Sequence, residues 1–241
     1  MFEPPYVAAD RFESQLESDG HAVISAATMQ RSFGVDAQAL AALATFWSDL
    51  PPDEYLKDGG RYRFRRHACF VADGDTLTAT PHRAHWQPLD YNALHGGILR
   101  WFAPMATQAV GQAAWRPMLL GLAGIAGRLK GKQPWFIEAH QFRIDTLHGI
   151  GRPTPEGAHR DGVDLVAVFL VERHGVKGGE SRVFEAQGPS GQRFTMSAPW
   201  TLLLLDDARV IHETTPIQPE AERGWRDTLV VTLRSGGFQS P

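Results

Sequence analysis

Three observations predict a mostly β fold with α-helices, a sandwich or jelly roll braced by an N-terminal helical layer. After about residue 131 the chain breaks into short apolar or alternating runs separated by Gly, Pro and Asp turns. That pattern suits an antiparallel β core rather than a parallel α/β sheet. Before that point, alanine- and leucine-rich stretches carry apolar residues at helical spacing. Finally, 241 residues of which 43% are hydrophobic suffice for one domain with a substantial core. The expected organisation is a single domain over residues 1–241, with a support layer of helices and strands at 1–130 and a β core at 131–238.

In the support layer, "FESQLESDGHAVI" predicts a short helix broken at Gly20 and a strand from His21 to Ile24. "DAQALAALATFWSDLPP" predicts a helix capped by Asp36 and stopped by Pro51 and Pro52. "GGRYRFRRHACF" predicts a strand, and residues 96–130 predict helices broken near Pro104 and Pro117.

In the β core, "PWFIEAHQFRIDT" sets His140, Phe142 and Ile144 on one face and Gln141, Arg143 and Asp145 on the other. "DLVAVFLVER" has the length and β-branched content of a buried strand. "HGVKGGES" predicts a turn that leaves His174 solvated, and "SRVFEA", "TLLLLDD", "ARVIHET" and "RDTLVVTLR" predict further strands. Trp135, Phe169, Trp200 and Trp225 are expected mainly in the core.

Composition narrows the function. A net charge of −3 gives no global attraction for nucleic acid. No apolar stretch approaches the ~18 residues of a membrane span, and the N-terminus carries no signal-peptide pattern. The single cysteine, Cys69, rules out an intrachain disulfide or a multi-cysteine zinc site. The expected setting is cytoplasmic, with a small-molecule partner and neither nucleic acid nor membrane.

The stretch "PEGAHRDGVD" places His159 and Asp161 two positions apart. Residues i and i+2 of an extended segment point the same way, so both side chains can aim at one point. A third ligand is expected from His212 in "ARVIHETTP", 51 residues after Asp161, on a strand that can return beside the first. Two imidazoles and one carboxylate leave open coordination positions, the non-haem Fe(II) oxygenase arrangement. A chelating 2-oxoglutarate needs a buried cation for its distal carboxylate, and arginine pairs with it bidentately. Arg226, opening the strand after His212, is the candidate, with Thr228 on the same face. Pairing of Arg226 with Asp227 or Glu222 is the competing reading.

Together "HRD", "GGES", "TLLLLDDARVIHETTPI" and "RDT" resemble the iron(II)/2-oxoglutarate-dependent dioxygenases over residues 131–238. The resemblance implies a double-stranded β-helix with His159, Asp161 and His212 as iron ligands and Arg226 with Thr228 as the 2-oxoglutarate clamp. It implies Fe(II), 2-oxoglutarate and O2 as cofactor and cosubstrates. The reaction would hydroxylate an unactivated C–H bond and release succinate and CO2. Asp161 separates the chain from the family's halogenases, which lack that carboxylate.

"DGGRYRFRRHACF", "YNALHGGILRWFAP" and "IEAHQFRID" are similar to the small bacterial branch that includes L-isoleucine 4-hydroxylase and its biofilm-associated relatives. This likeness implies a free aliphatic L-amino acid as substrate. Arg63, Arg65 or Arg143 are candidates for its carboxylate, and Glu138 or Asp164 for its ammonium. Alternating strand arginines also suit a plain solvated face. Gln141 is a candidate contact of cosubstrate or substrate. Two rivals remain: a cupin-like metal-dependent isomerase or hydrolase without 2-oxoglutarate, and a non-catalytic sandwich.

Overall fold

Alternating apolar residues on long strands build the central feature, a seven-stranded antiparallel sheet. The computed structural model describes residues 2–92 and 94–241. Its strands are β1 (His21–Ile24), β2 (Arg63–Asp73), β3 (Thr76–Ala79), β4 (Trp135–Asp145), β5 (Leu165–His174), β6 (Val176–Gly178), β7 (Ser181–Glu185), β8 (Gly191–Phe194), β9 (Leu202–Asp206), β10 (Val210–Thr214), β11 (Ile217–Pro219) and β12 (Trp225–Arg234). The large sheet runs β1-β9-β5-β12-β4-β2-β3; β10-β7-β8 and β11-β6 form smaller sheets. This is the mostly β architecture with helices anticipated from the strand pattern, in the double-stranded β-helix form that the family resemblance implies. β1, β2 and β3, from the first half of the chain, are full members of the large sheet rather than a separate layer.

One face of that sheet carries the helices α1 (Phe12–Asp19), α2 (Ala26–Phe33), α3 (Ala37–Ala44), α4 (Thr107–Val110) and α5 (Trp115–Lys130). Gly20 ends α1 at φ 75°, its N–H reaching Leu16 O at 3.0 Å. Only glycine adopts that left-handed conformation without penalty. Asp36 caps α3, accepting from Ala39 N at 2.7 Å. Pro117 does not break α5 as expected. It lies in the first turn, where the missing N–H has no intrahelical partner to lose. Residues 96–106 form loop and bridge rather than helix.

The period of two divides the residues cleanly. Ile137, Ala139, Phe169, Leu229, Val231 and Leu233 pack against the helices in the main core. Their neighbours Val166, Leu170, Leu203 and Leu205 face inward, against Val183, Phe194 and Val210 of the small sheet. Trp135, Phe169 and Trp200 are core residues as expected, and Trp225 stacks on His174 instead, ring centroids 4.4 Å apart. His174 ends β5 beside the bend at Gly175 and is exposed, as the turn pattern predicts. Among the described residues no helix is long and apolar enough to cross a membrane.

Candidate active site

The "PEGAHRDGVD" segment forms no long strand. His159 makes a single antiparallel bridge to His212 on β10, donating its N–H to His212 O at 3.0 Å and accepting from His212 N at 2.9 Å. That bridge sets the two imidazoles side by side, centroids 4.6 Å apart. Asp161 completes the group: His159 Nε2 lies 3.8 Å from Oδ1 and His212 Nε2 lies 3.7 Å from Oδ2. One donor atom from each residue lies within 4.8 Å of the others.

The loop is held from below. The Asp207 carboxylate accepts from the backbone N–H of Asp161 at 2.9 Å, Gly162 at 2.7 Å and Val163 at 3.1 Å. Gly162, at φ 74°, has no room for a Cβ, which would stand 2.5 Å from the Tyr91 ring. Burial, followed by the nearby Asp161 charge, pushes the Asp207 pKa up to about 6.

Proton placement suits a cation. His159 Nδ1 lies 2.9 Å from Gly157 O and donates to it, which leaves Nε2 as the lone-pair nitrogen facing Asp161. Burial lowers the His212 pKa to about 4, reinforced by His159, so its ring is neutral and available as a ligand. Burial opposes charge on His159, but Asp161 and Glu156 outweigh it and raise its pKa.

A cavity of about 140 Å³ opens beside the triad, walled by side chains of β2, β4, β12 and the loops. Arg226 and Thr228 reach it from β12. Arg226 is 3% exposed, yet its Nε and Nη2 have no hydrogen-bond partner. The competing surface pairings do not form, because Asp227 is taken by Arg143 at 2.8 and 2.6 Å on the opposite face. Burial, then Arg173, lowers the Arg226 pKa to about 10, still well above neutrality. A buried guanidinium with two free N–H groups costs several kcal/mol unless an anion joins it. The residues therefore fit 2-oxoglutarate as well as the metal.

The other wall is polar where a solvated face was the alternative. Arg63 and Arg65 are buried; Arg63 Nε donates to Asp53 at 2.7 Å, and Arg65 Nη1 lies 3.6 Å from the same oxygen. Arg65 lies over the rings of Phe102 at 3.5 Å and Phe142 at 4.3 Å. The Nε atoms of Arg65 and Arg100 have no partner. Glu138 also lines the cavity, with Arg83 Nη1 3.4 Å from its Oε1.

Three expected site residues lie elsewhere. Gln141 points to the helical side, donating to Phe46 O at 3.3 Å, because it alternates with the inward-facing His140 and Phe142. Arg143 shares that outward face and pairs with Asp227. Asp164 accepts from Ser235 N at 2.7 Å and Oγ at 2.9 Å, outside the cavity wall. Sequence reasoning missed Gln87, Arg100, Glu156 and Asp207. Their only signal was proximity to quoted motifs, since loop residues lack a diagnostic period.

His67, His85, Glu138 and His140 form a second ligand-like cluster. Its proton logic differs. Arg65 Nη2 donates to His140 Nδ1 at 2.7 Å, which forces the His140 proton onto Nε2, the nitrogen facing Glu138. His85 hydrogen-bonds Glu138 directly, and His67 Nε2 lies 3.4 Å away. The carboxylate oxygen itself sits at the meeting point of the three rings. Burial alone would raise the Glu138 pKa, but His85 and His67 hold it well below the usual carboxylate range. The cluster is an anion held by imidazoles.

Burial takes the pKa of His67 to about 4, and burial with Arg63 and Arg100 does the same for His95. A neutral-in-fold histidine stabilises fully above its unfolded pKa near 6.5, and the contribution is lost as pH falls towards 4. Asp207 and Asp227, both raised to about 6, act in the opposite sense. The informative quantity is therefore a difference. Between pH 6.5 and 4.5 the urea midpoint of metal-free wild type should fall more than that of His67→Gln, and equal slopes would contradict the assignment.

With the geometry in view, comparison with known proteins is direct. The family model described as 2OG-Fe dioxygenase matches residues 44–232. A solved bsmA homolog from Methylobium petroleophilum PM1 is 48% identical, covering 99% of this chain and 98% of its own, with TM-score 0.94. Two solved structures share the fold at low identity. IDO from Bacillus thuringiensis is 18% identical over 97% of this chain and 100% of its own, TM-score 0.75. The Fe(II)/(alpha)ketoglutarate-dependent dioxygenase TqaL is 17% identical over 96% and 90%, TM-score 0.72. A search of curated proteins returns no match. The chain belongs to the 2OG-Fe dioxygenase family. It is accordingly an oxidoreductase that uses Fe(II), 2-oxoglutarate and O2.

Proposed function

We propose that the protein hydroxylates an unactivated C–H bond of a small carboxylate-bearing substrate, a free aliphatic L-amino acid. In this reading His159, Asp161 and His212 hold the iron, and Arg226 with Thr228 holds the distal carboxylate of 2-oxoglutarate. The observation that carries it is one cavity holding both the triad and a buried arginine with unpartnered N–H groups. A cupin-like isomerase or hydrolase would leave Arg226 buried and charged for no purpose.

Iron and 2-oxoglutarate, when bound, supply the oxidising power for C–H hydroxylation, with succinate and CO2 released. The chain's part is binding and orientation. Arg63 is neutralised by Asp53, so the substrate carboxylate goes to Arg65 and Arg100, whose free Nε groups need an acceptor. Glu138, kept ionised by its imidazoles, accepts the ammonium. Phe142, Ile144 and Val230 supply apolar wall for an aliphatic side chain. The ring of Phe102 against Arg65 keeps water from that guanidinium.

A competition screen of free amino acids with Fe(II) and 2-oxoglutarate tests this, read by mass spectrometry and succinate release. One or more aliphatic L-amino acids should gain one oxygen with matching succinate, and Arg65→Met should raise the KM for that substrate about 30-fold or more. Turnover confined to peptides, or to carboxylates lacking an amino group, would overturn the substrate assignment.

A further inference from the structure

We infer that Gln87 is a positioning residue that fixes the Asp161 carboxylate and ties it to Arg100, so that the state of Arg100 is felt at the metal. The inference rests on Asp161 being a metal ligand, as proposed above, and goes beyond it by assigning a residue that touches no metal.

The amide orientation follows from donor chemistry. Arginine only donates, so the oxygen of Gln87 must face Arg100 Nη2, 2.8 Å away. Asn92 makes the same demand: its Oδ1 accepts from His95 N at 2.7 Å, which turns its amide nitrogen to Gln87 Oε1 at 3.1 Å. Both neighbours thus direct the Gln87 nitrogen to Asp161 Oδ1, at 3.1 Å. Backbone pairing holds the geometry. His85 and Arg100 exchange hydrogen bonds of 2.9 and 3.0 Å, and Gly97 N donates to Gln87 O at 2.8 Å. All three side chains line the cavity, and Gln87 is 6% exposed and Arg100 2%.

Two donors converging on one amide oxygen polarise the opposite N–H and strengthen its hold on the carboxylate. That bond selects which Asp161 lone pairs remain for a cation, the kind of outer contact that changes metal affinity. Arg100 has a free Nε in the same cavity. An anion bound there competes with Gln87 for the guanidinium and loosens the far end of the chain. Binding at the arginine and the geometry of the ligand are thereby linked, and the linkage is reciprocal.

The test is Co(II) binding to the intact metal-free protein by calorimetry, without substrate. Gln87→Met, close in size and without hydrogen bonds, should weaken Co(II) about tenfold while the melting temperature of the metal-free protein changes little. Should the methionine variant fold poorly, Gln87→Asn keeps an amide too short to bridge and should show the same loss. The decisive measurement is a double-mutant cycle with Arg100→Met. Direct loss of the guanidinium charge appears in both arms and cancels, so a residual coupling of about fivefold or more reports the route through Gln87. Unchanged Co(II) affinity in both Gln87 variants, or strict additivity with Arg100→Met, would overturn the inference alone. Failure of wild type to bind Co(II) in a His212-dependent way would instead overturn the metal assignment beneath it.

Discussion

Replacing Arg226 with methionine should raise the KM for 2-oxoglutarate about 100-fold and, at the same time, make the metal-free protein more stable. The two effects have one cause. Arg226 is fully enclosed, Arg173 opposes its charge, and neither Nε nor Nη2 has a partner. In the empty protein this charge is uncompensated, and an apolar side chain of similar volume relieves it. With cosubstrate bound, a bidentate pair with the distal carboxylate would form in a dry site, and its loss costs about 2–5 kcal/mol. Calorimetry of the metal-free variant and steady-state kinetics in 2-oxoglutarate measure the two sides. A lower melting temperature with unchanged KM would mean that Arg226 is a structural residue.

His212→Ala is expected to abolish turnover, with activity down at least ~1,000-fold and Fe(II) uptake lost, because several kcal/mol of ligand-field binding go with one of three donors. Folding should survive. The backbone bridge between residues 159 and 212 uses N–H and C=O groups that alanine retains. The buried ring leaves an unpartnered Nδ1 in the metal-free state, so its removal also relieves a polar group. Far-ultraviolet circular dichroism together with iron content per chain checks both halves.

Local periodicity made much of this molecule legible. Alternation in "RDTLVVTLR" separated Arg226 and Thr228 from Leu229, Val231 and Leu233, and the structure preserves that division. The separation of "HRD" and His212 anticipated two segments meeting, although they meet through one bridge rather than two full strands. Alternation also showed that Gln141 and His140 face opposite ways. It could not say which face the helices would cover, so Gln141 and Arg143 were assigned to a cavity they do not reach. The same ambiguity left Arg63 and Arg65 between a substrate contact and a solvated face; both are buried, beside Asp53, and Arg65 lies against Phe102. Gln87, Glu156 and Asp207 were illegible for a different reason. Each acts through hydrogen bonds or charges to residues remote in sequence or held by irregular backbone, and nothing in a loop's composition specifies such a partner.

The central claim is that the triad and Arg226 face the same small molecule. Anaerobic titration of metal-free protein with Fe(II) and 2-oxoglutarate tests it most directly, since a visible charge-transfer band requires the chelate on iron. Wild type should develop the band at one equivalent of each, His212→Ala should show none, and Arg226→Met should reach it only at about 100-fold higher 2-oxoglutarate. No band in wild type, or an undiminished band in His212→Ala, would contradict the account.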